Sequence, residues 1–272
     1  MTEELNRNWG LLSPKEISLT EHFLNTGYVI TDVEDLDSLN RIRDELTALC
    51  ASYIGKEVSN QEAFLNKFHE SIETEDLNDA RIHFIQQINK GRWLSDHYFR
   101  LARSSLEVLV GNELAMQRQV NLSIQLPNDA SSLLPVHADV WSGDSPFEVV
   151  VWLPLVDCFR TKSMFLLPPE FAQTLHEEFF KFKGKSSEYL FRAIEADLEW
   201  IEIPYGKVLI FNQNLPHGNR VNNEKETRWT MNCRFKSVFS PYGDKKLGEF
   251  FVPITLRGAS RIGMDYQLPE GG

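Results

Sequence analysis

The sequence predicts a mainly β fold with α-helices: a jelly-roll core, closed as an antiparallel sandwich or barrel, with helices packed outside. Three observations lead there. The hydrophobic period switches from helical to twofold near residue 112. The strands that follow are many and short and lack regular helical crossovers, which argues against a parallel sheet. The 272 residues, 42% hydrophobic with 18 Phe and 6 Trp, can fill one large core, which excludes a disordered chain or a disulfide-stapled scaffold. A single domain is expected over 1–272, with a helical part at 1–112, the jelly roll at 113–257, a helical insertion at 170–198 and a tail at 258–272.

Ser13-Pro14-Lys15-Glu16 is a helix start, with Ser as N-cap, Pro at the first helical position and Glu placed to close a capping box; the helix ends at Gly27. Tyr28-Val29-Ile30 is a short strand. Leu36, Leu39, Ile42, Leu46, Leu49, Cys50 and Tyr53 then recur at helical spacing up to Gly55. Helical runs follow over 60–74, 78–90 and 95–110, the last closing at Gly111. From Met116 the pattern alternates: Gln117, Gln119, Asn121, Ser123 and Gln125 against Arg118, Val120, Leu122, Ile124 and Leu126. This is a strand with one polar and one apolar face, and a row of uncharged polar side chains suits a wet cavity. Further strands are expected over 133–140, 147–156, 162–167, 199–204, 206–213 and 227–239, and helices at Glu170–Phe182 and Ser187–Leu198.

The net charge of −11 repels nucleic acid and anionic membranes, so any bound anion needs a local cationic pocket. Met1-Thr2-Glu3-Glu4 lacks the pattern of a secretory signal, and the apolar stretch Phe147–Val156 is too short to span a bilayer. Cys50, Cys158 and Cys233 are odd in number and widely spaced, without C-x-x-C, and suggest neither disulfides nor a thiolate zinc site. A cytoplasmic location is expected.

His137-Ala138-Asp139 places an imidazole and a carboxylate two residues apart, on one face of an extended strand. Alone, the pair equally describes a strand-end His and a turn Asp. His217, after the apolar run Val208-Leu209-Ile210-Phe211, supplies the context. Two imidazoles and one carboxylate from two strand mouths form a facial set that leaves three positions open on iron(II), enough for a bidentate keto acid and dioxygen. If Gly206–Pro216 and Thr227–Ser237 form a hairpin centred between Asn222 and Asn223, His217 and Arg228 lie opposite each other, with Cβ atoms about 5 Å apart. A guanidinium beside the metal can grip a carboxylate with two parallel bonds. Arg228, Thr230, Asn232 and Arg234 then share a polar face, and Trp229, Met231, Cys233 and Phe235 an apolar one.

His137-x-Asp139, His217 and Arg228 eleven residues on resemble the iron(II)/2-oxoglutarate oxygenases of the phytanoyl-CoA dioxygenase-like superfamily. The likeness extends to Phe23-Leu24-Asn25-Thr26-Gly27-Tyr28-Val29-Ile30, similar to that superfamily's opening helix and strand. Asn121-Leu122-Ser123-Ile124-Gln125-Leu126-Pro127, His137-Ala138-Asp139-Val140-Trp141 and His217-Gly218-Asn219-Arg220-Val221-Asn222 look like a bacterial subset from carbohydrate-biosynthesis clusters. The resemblance implies a double-stranded β-helix (cupin-like) core, Fe(2+), 2-oxoglutarate as cosubstrate and O2. It assigns Arg228 and Asn219 to the distal carboxylate of 2-oxoglutarate, and Trp152 to that pocket's wall. The chain departs from the pattern after Phe165-Leu166-Leu167-Pro168-Pro169, where it enters the insertion without a Gly-Ser-His ending.

The expected reaction is hydroxylation of a small polar metabolite, with a sugar or nucleotide-linked sugar suggested by the resemblance and a fatty acyl-CoA as runner-up. Gln119, Asn121, Ser123, Gln125 and Asn232 offer neutral groups suited to hydroxyls, Arg234 or Arg220 could meet a phosphate, and Trp141 is placed to stack or to pack. The rival readings are a keto-acid-independent iron oxidase, in which Arg228 grips the substrate, and a non-catalytic sugar-binding jelly roll. His22, His69, His83, His97 and His176 lack ligand-spaced partners and read as surface or packing residues. The insertion, with Phe171, Leu175 and Phe179 on one segment and Leu190, Ile194 and Leu198 on the other, is expected to be a lid or a homodimerisation element, the lid favoured.

Overall fold

Ser13 caps the first helix as its sequence requires. In the computed structural model, which describes residues 11–269, its hydroxyl accepts from the Glu16 N–H while the Glu16 carboxylate accepts from the Ser13 N–H. Met1–Glu4 lies outside the described residues. The helical part comprises α1 (Pro14–Thr26), α2 (Leu36–Ile54), α3 (Gln61–Asn66), α4 (Leu77–Ile88), α5 (Trp93–Arg100) and α6 (Arg103–Leu109), with β1 (Tyr28–Asp32) between the first two helices. The run expected at 60–74 shrinks to α3 and a 3-10 turn, and that at 95–110 breaks at Leu101-Ala102. No helix among the described residues is long and apolar enough to cross a membrane.

The strands are β2 (Leu114–Gln117), β3 (Asn121–Gln125), β4 (Glu148–Pro154), β5 (Phe165–Leu166), β6 (Glu199–Trp200), β7 (Lys207–Asn212), β8 (His217–Gly218), β9 (Arg228–Ser237) and β10 (Phe251–Pro253). α7 (Pro169–Glu177) and α8 (Ser187–Ile194) form the insertion, and α9 (Gly258–Asp265) lies in the tail. A seven-stranded antiparallel sheet runs β1-β7-β4-β9-β2-β10, with β3 also on β9; a three-stranded sheet runs β6-β5-β8. The fold is therefore mixed α and β, built on antiparallel sheets.

Alternation decides which side chains meet. Val149, Val151 and Leu153 of β4, with Trp229, Met231, Cys233 and Phe235 of β9, pack against Leu39, Ile42, Leu46 and Phe84 of the helices. The opposite face carries Val150 and Trp152 of β4 and Leu209 and Phe211 of β7, which pack with Phe165 and Leu166 of the smaller sheet. Asn121 and Ser123 of β3 and Arg228, Thr230, Asn232 and Arg234 of β9 share that second face and line a cavity between the sheets.

Three expectations need correction. The strand from Met116 is broken: Met116 pairs with Phe235 but Asn121 with Asn232, so residues 117–120 bulge opposite 233–234. Residues 133–140 form no strand; His137 makes a single bridge to His217, and Asp139 opens a 3-10 turn to Ser142. Residues 206–216 and 227–237 form no hairpin, because β4 lies between β7 and β9, with Val151 facing both Ile210 and Cys233. His217 instead pairs with Leu166 in the smaller sheet and Arg228 with Gln125 in the larger. The insertion packs Ala172, Leu175, Leu190, Phe191 and Ile194 onto the cluster around Phe165 and Leu166. Phe171 and Phe179 of its apolar faces stay exposed, and no residue of 169–198 lines the cavity where a lid was expected.

Candidate metal centre

His137 and His217 are held together by their own backbone: each N–H donates to the other's carbonyl, at 3.0 and 2.8 Å, and the rings stand 4.3 Å apart between centroids. Gly218 permits this approach, since a Cβ there would sit 2.7 Å from the Leu134 carbonyl oxygen. Asp139 reaches the same point from the start of its turn, where its N–H donates to the Gln213 carbonyl at 3.1 Å. The Nδ1 of His137 lies 2.8 Å from the Pro135 carbonyl and that of His217 2.8 Å from the Leu215 carbonyl. A carbonyl only accepts, so each Nδ1 donates and each ring turns its Nε2 toward the shared point. The ligand atoms of His137, Asp139 and His217 lie within 4.8 Å of one another, His137 Nε2 being 3.4 Å from Asp139 Oδ1.

The electrostatics suit a cation. Burial pushes His217 down to about 4, helped by the neighbouring His137, so its imidazole is neutral near pH 7. Burial pushes the Asp139 carboxyl up, but His137, Arg234 and His217 outweigh it and hold the group ionised, well below the usual carboxylate range. Two imidazoles and a carboxylate on one side of an open cavity are the donor set of a facial iron(II) site, and these residues fit that ion. In metal-free protein the His217 shift has a sign: its folded value lies below its unfolded value, so the unfolded chain binds the extra proton first. Stability should fall by about 3 kcal/mol as pH drops from about 6.5 to 4. Denaturant midpoints across that range should show the slope, and His217→Gln should flatten it.

The second oxygen of Asp139 is taken. Arg234 Nη2 donates to Oδ2 at 2.7 Å and stands 3.6 Å from Asp144, which also pairs with Lys245 at 2.7 Å. Arg234 thus serves the ligand carboxylate and is not free for a substrate phosphate. Arg220, the other phosphate candidate, pairs with Glu188 of α8.

Arg228 lines the cavity and is 3% exposed. Its guanidinium donates to the Ser163 carbonyl and the Ser123 hydroxyl, both at 3.0 Å; its Nε has no partner, and no carboxylate pairs with it among the described residues. Burial pushes its pKa down to about 10. A desolvated cation without a counter-ion is costly unless the cavity supplies an anion.

The cavity, of about 600 Å³, brings Trp152, Asn121, Asn232 and Asn219 to the same space. Asn121 and Asn232 are hydrogen-bonded to each other at 3.0 Å. Asn219 is engaged by the adjoining loop, accepting from the Leu134 N–H at 2.6 Å, so it shapes the wall instead of presenting a free amide. Gln125 and Trp141 do not line the cavity. Gln125 is buried and donates to the Arg220 carbonyl; Trp141 packs at a tilt on Phe179 of the insertion, 4.7 Å between centroids. Gln119 is exposed in the bulge. Sequence reasoning missed Gln213, Asp144 and Lys245, and also Arg81, which flanks the buried stripe of α4 and reaches the cavity past β3, a strand paired only with β9. No local periodicity marks these residues.

No protein-family model and no curated protein matches the sequence. Solved structures do. The nickel complex of the non-heme monooxygenase ThoJ superposes with a TM-score of 0.54 at 16% identity, over 87% of this chain and 84% of that one. HygX from Streptomyces hygroscopicus, with nickel and 2-oxoglutarate bound, gives 0.51 at 13% identity, over 87% and 90%. At such identities the likeness is one of fold.

Proposed function

We propose that the protein is an iron(II)- and 2-oxoglutarate-dependent dioxygenase on a double-stranded β-helix core. The observation that carries this is the convergence of His137, Asp139 and His217 on a cavity that also holds the buried, unpaired Arg228. The HygX fold-mate with nickel and 2-oxoglutarate bound supports the same reading. Bound iron(II) supplies dioxygen activation; the chain supplies the rest. His137 and His217 offer Nε2, and Asp139 one oxygen while Arg234 retains the other. Arg228 grips the distal carboxylate of 2-oxoglutarate, Trp152 walls its pocket, and Asn219 braces the loop beside it.

The substrate is a small polar metabolite such as a sugar or nucleotide-linked sugar, turned over by hydroxylation. Asn121 and Asn232 meet its hydroxyls. Arg81, at the half-buried rim and bonded among the described residues only to Asn78, meets a phosphate or carboxylate. Arg81→Ala should raise KM for such a substrate roughly tenfold and leave that for 2-oxoglutarate unchanged; an unchanged substrate KM would remove Arg81 from recognition.

Anaerobic titration with iron(II) and 2-oxoglutarate tests the whole reading. A weak visible charge-transfer band at one equivalent of each is expected. Iron binding without the band would favour an oxidase that uses no keto acid. A chain that binds glycans unchanged after all three ligands become Ala would be a sugar-binding module.

A further inference from the structure

Behind the metal ligands runs a buried polar chain that the reaction itself does not require. Arg234 grips Asp139 Oδ2 at 2.7 Å through Nη2, and its Nε donates to Gln213 Oε1 at 3.0 Å. The Gln213 Nε2 donates in turn to Glu148 Oε2 at 3.0 Å and to the Ser145 carbonyl at 3.1 Å. Gln213 and Glu148 are 0% and 1% exposed. The two carbonyl and carboxylate acceptors determine which end of the Gln213 amide faces Arg234, because only the NH2 end can donate to them. The oxygen is therefore directed at the guanidinium. The backbone agrees, since the Gln213 carbonyl also accepts the Asp139 N–H.

We propose that Gln213, oriented by Glu148, is a positioning residue for the metal. It holds Arg234 against the outer oxygen of Asp139, so that Oδ1 is the oxygen left beside His137 and would be the one to hold the ion. Asp144 could draw Arg234 the other way, since its carboxylate lies 3.6 Å from the same Nη2. Without the Gln213 acceptor the guanidinium keeps, besides Asp139, a long 3.4 Å bond from Nη1 to Gln117 Oε1 and can turn toward Asp144, which loosens its hold on Asp139. Supports of this kind are worth about 10- to 100-fold in metal affinity. The inference rests on the metal site proposed above and adds to it the residue that sets its carboxylate.

The test uses cobalt(II), which reports its ligand field by visible absorption, on the full chain. Gln213→Met conserves volume and removes both hydrogen-bonding ends. It should weaken cobalt binding by about 10- to 100-fold and alter the spectrum, with the metal-free melting temperature lowered only slightly. If Gln213→Met does not fold, Gln213→Asn, too short to span Arg234 and Glu148 together, should show the same loss. Wild-type affinity and spectrum in Gln213→Met or Gln213→Asn would overturn the positioning role while leaving the metal site intact. Failure of wild type itself to bind cobalt would instead overturn the metal site.

Discussion

Asp139→Ala is expected to lower iron(II) affinity by about a thousandfold or more, a loss of ~4 kcal/mol, while the fold survives. The carboxylate is one of three donors and the only anionic one, so its removal leaves two neutral imidazoles to hold a dication. Folding should tolerate the change because Asp139 lies at the start of a 3-10 turn at the cavity, outside both packed clusters. Arg234, deprived of Asp139, keeps Gln213 and has Asp144 within reach. Isothermal titration under anaerobic conditions, with circular dichroism of the variant alongside, checks both halves. Equal, tight iron binding by the variant would remove Asp139 from the site. Metal should also raise the melting temperature of wild type and not of the variant, since a ligand stabilises only the state that binds it.

Arg228→Leu is expected to raise KM for 2-oxoglutarate by about 10- to 150-fold, the effect of losing a charge-assisted pair worth 1.5–3 kcal/mol. KM for the substrate should move far less. The same substitution should leave the keto-acid-free protein melting no lower than wild type, because it removes a buried cation that has no counter-ion. That second readout separates an anion-binding arginine from one that merely packs: a packing role predicts loss of stability without 2-oxoglutarate. Saturating 2-oxoglutarate at a hundred times Kd should stabilise wild type by about 2.7 kcal/mol and the variant by much less. If only the substrate KM moved, the arginine would be gripping substrate, as a keto-acid-independent oxidase requires.

Much of this was legible in the residues alone, and the reason is local. Successive Cβ atoms of a strand point to opposite faces whatever the strand pairs with. The order Arg228, Trp229, Thr230, Met231, Asn232, Cys233, Arg234 therefore already separated a cavity face from a core face, as did Asn121 to Ile124 on β3. Ser13 and Gly27 set the ends of the first helix by the same local chemistry. The neighbours of each strand were a different matter, for they depend on crossovers between distant segments. The alternation in residues 206–216 and 227–237 would suit a hairpin, yet β4 enters between them and His217 crosses to the opposite sheet, so it meets Arg228 across the cavity and not beside it. A polar residue on the right face still needs a position along the strand that reaches the cavity, which Asn121 and Ser123 have and Gln125 lacks. The sequence by itself determined the strand faces and offered the candidate ligands His137, Asp139 and His217. Only the tertiary structure decided that Arg234 pairs with Asp139, that Trp141 packs on the insertion, that Gln213 bonds to Arg234 and that Arg81 reaches the cavity, because each of those facts is a contact between segments that no local pattern encodes.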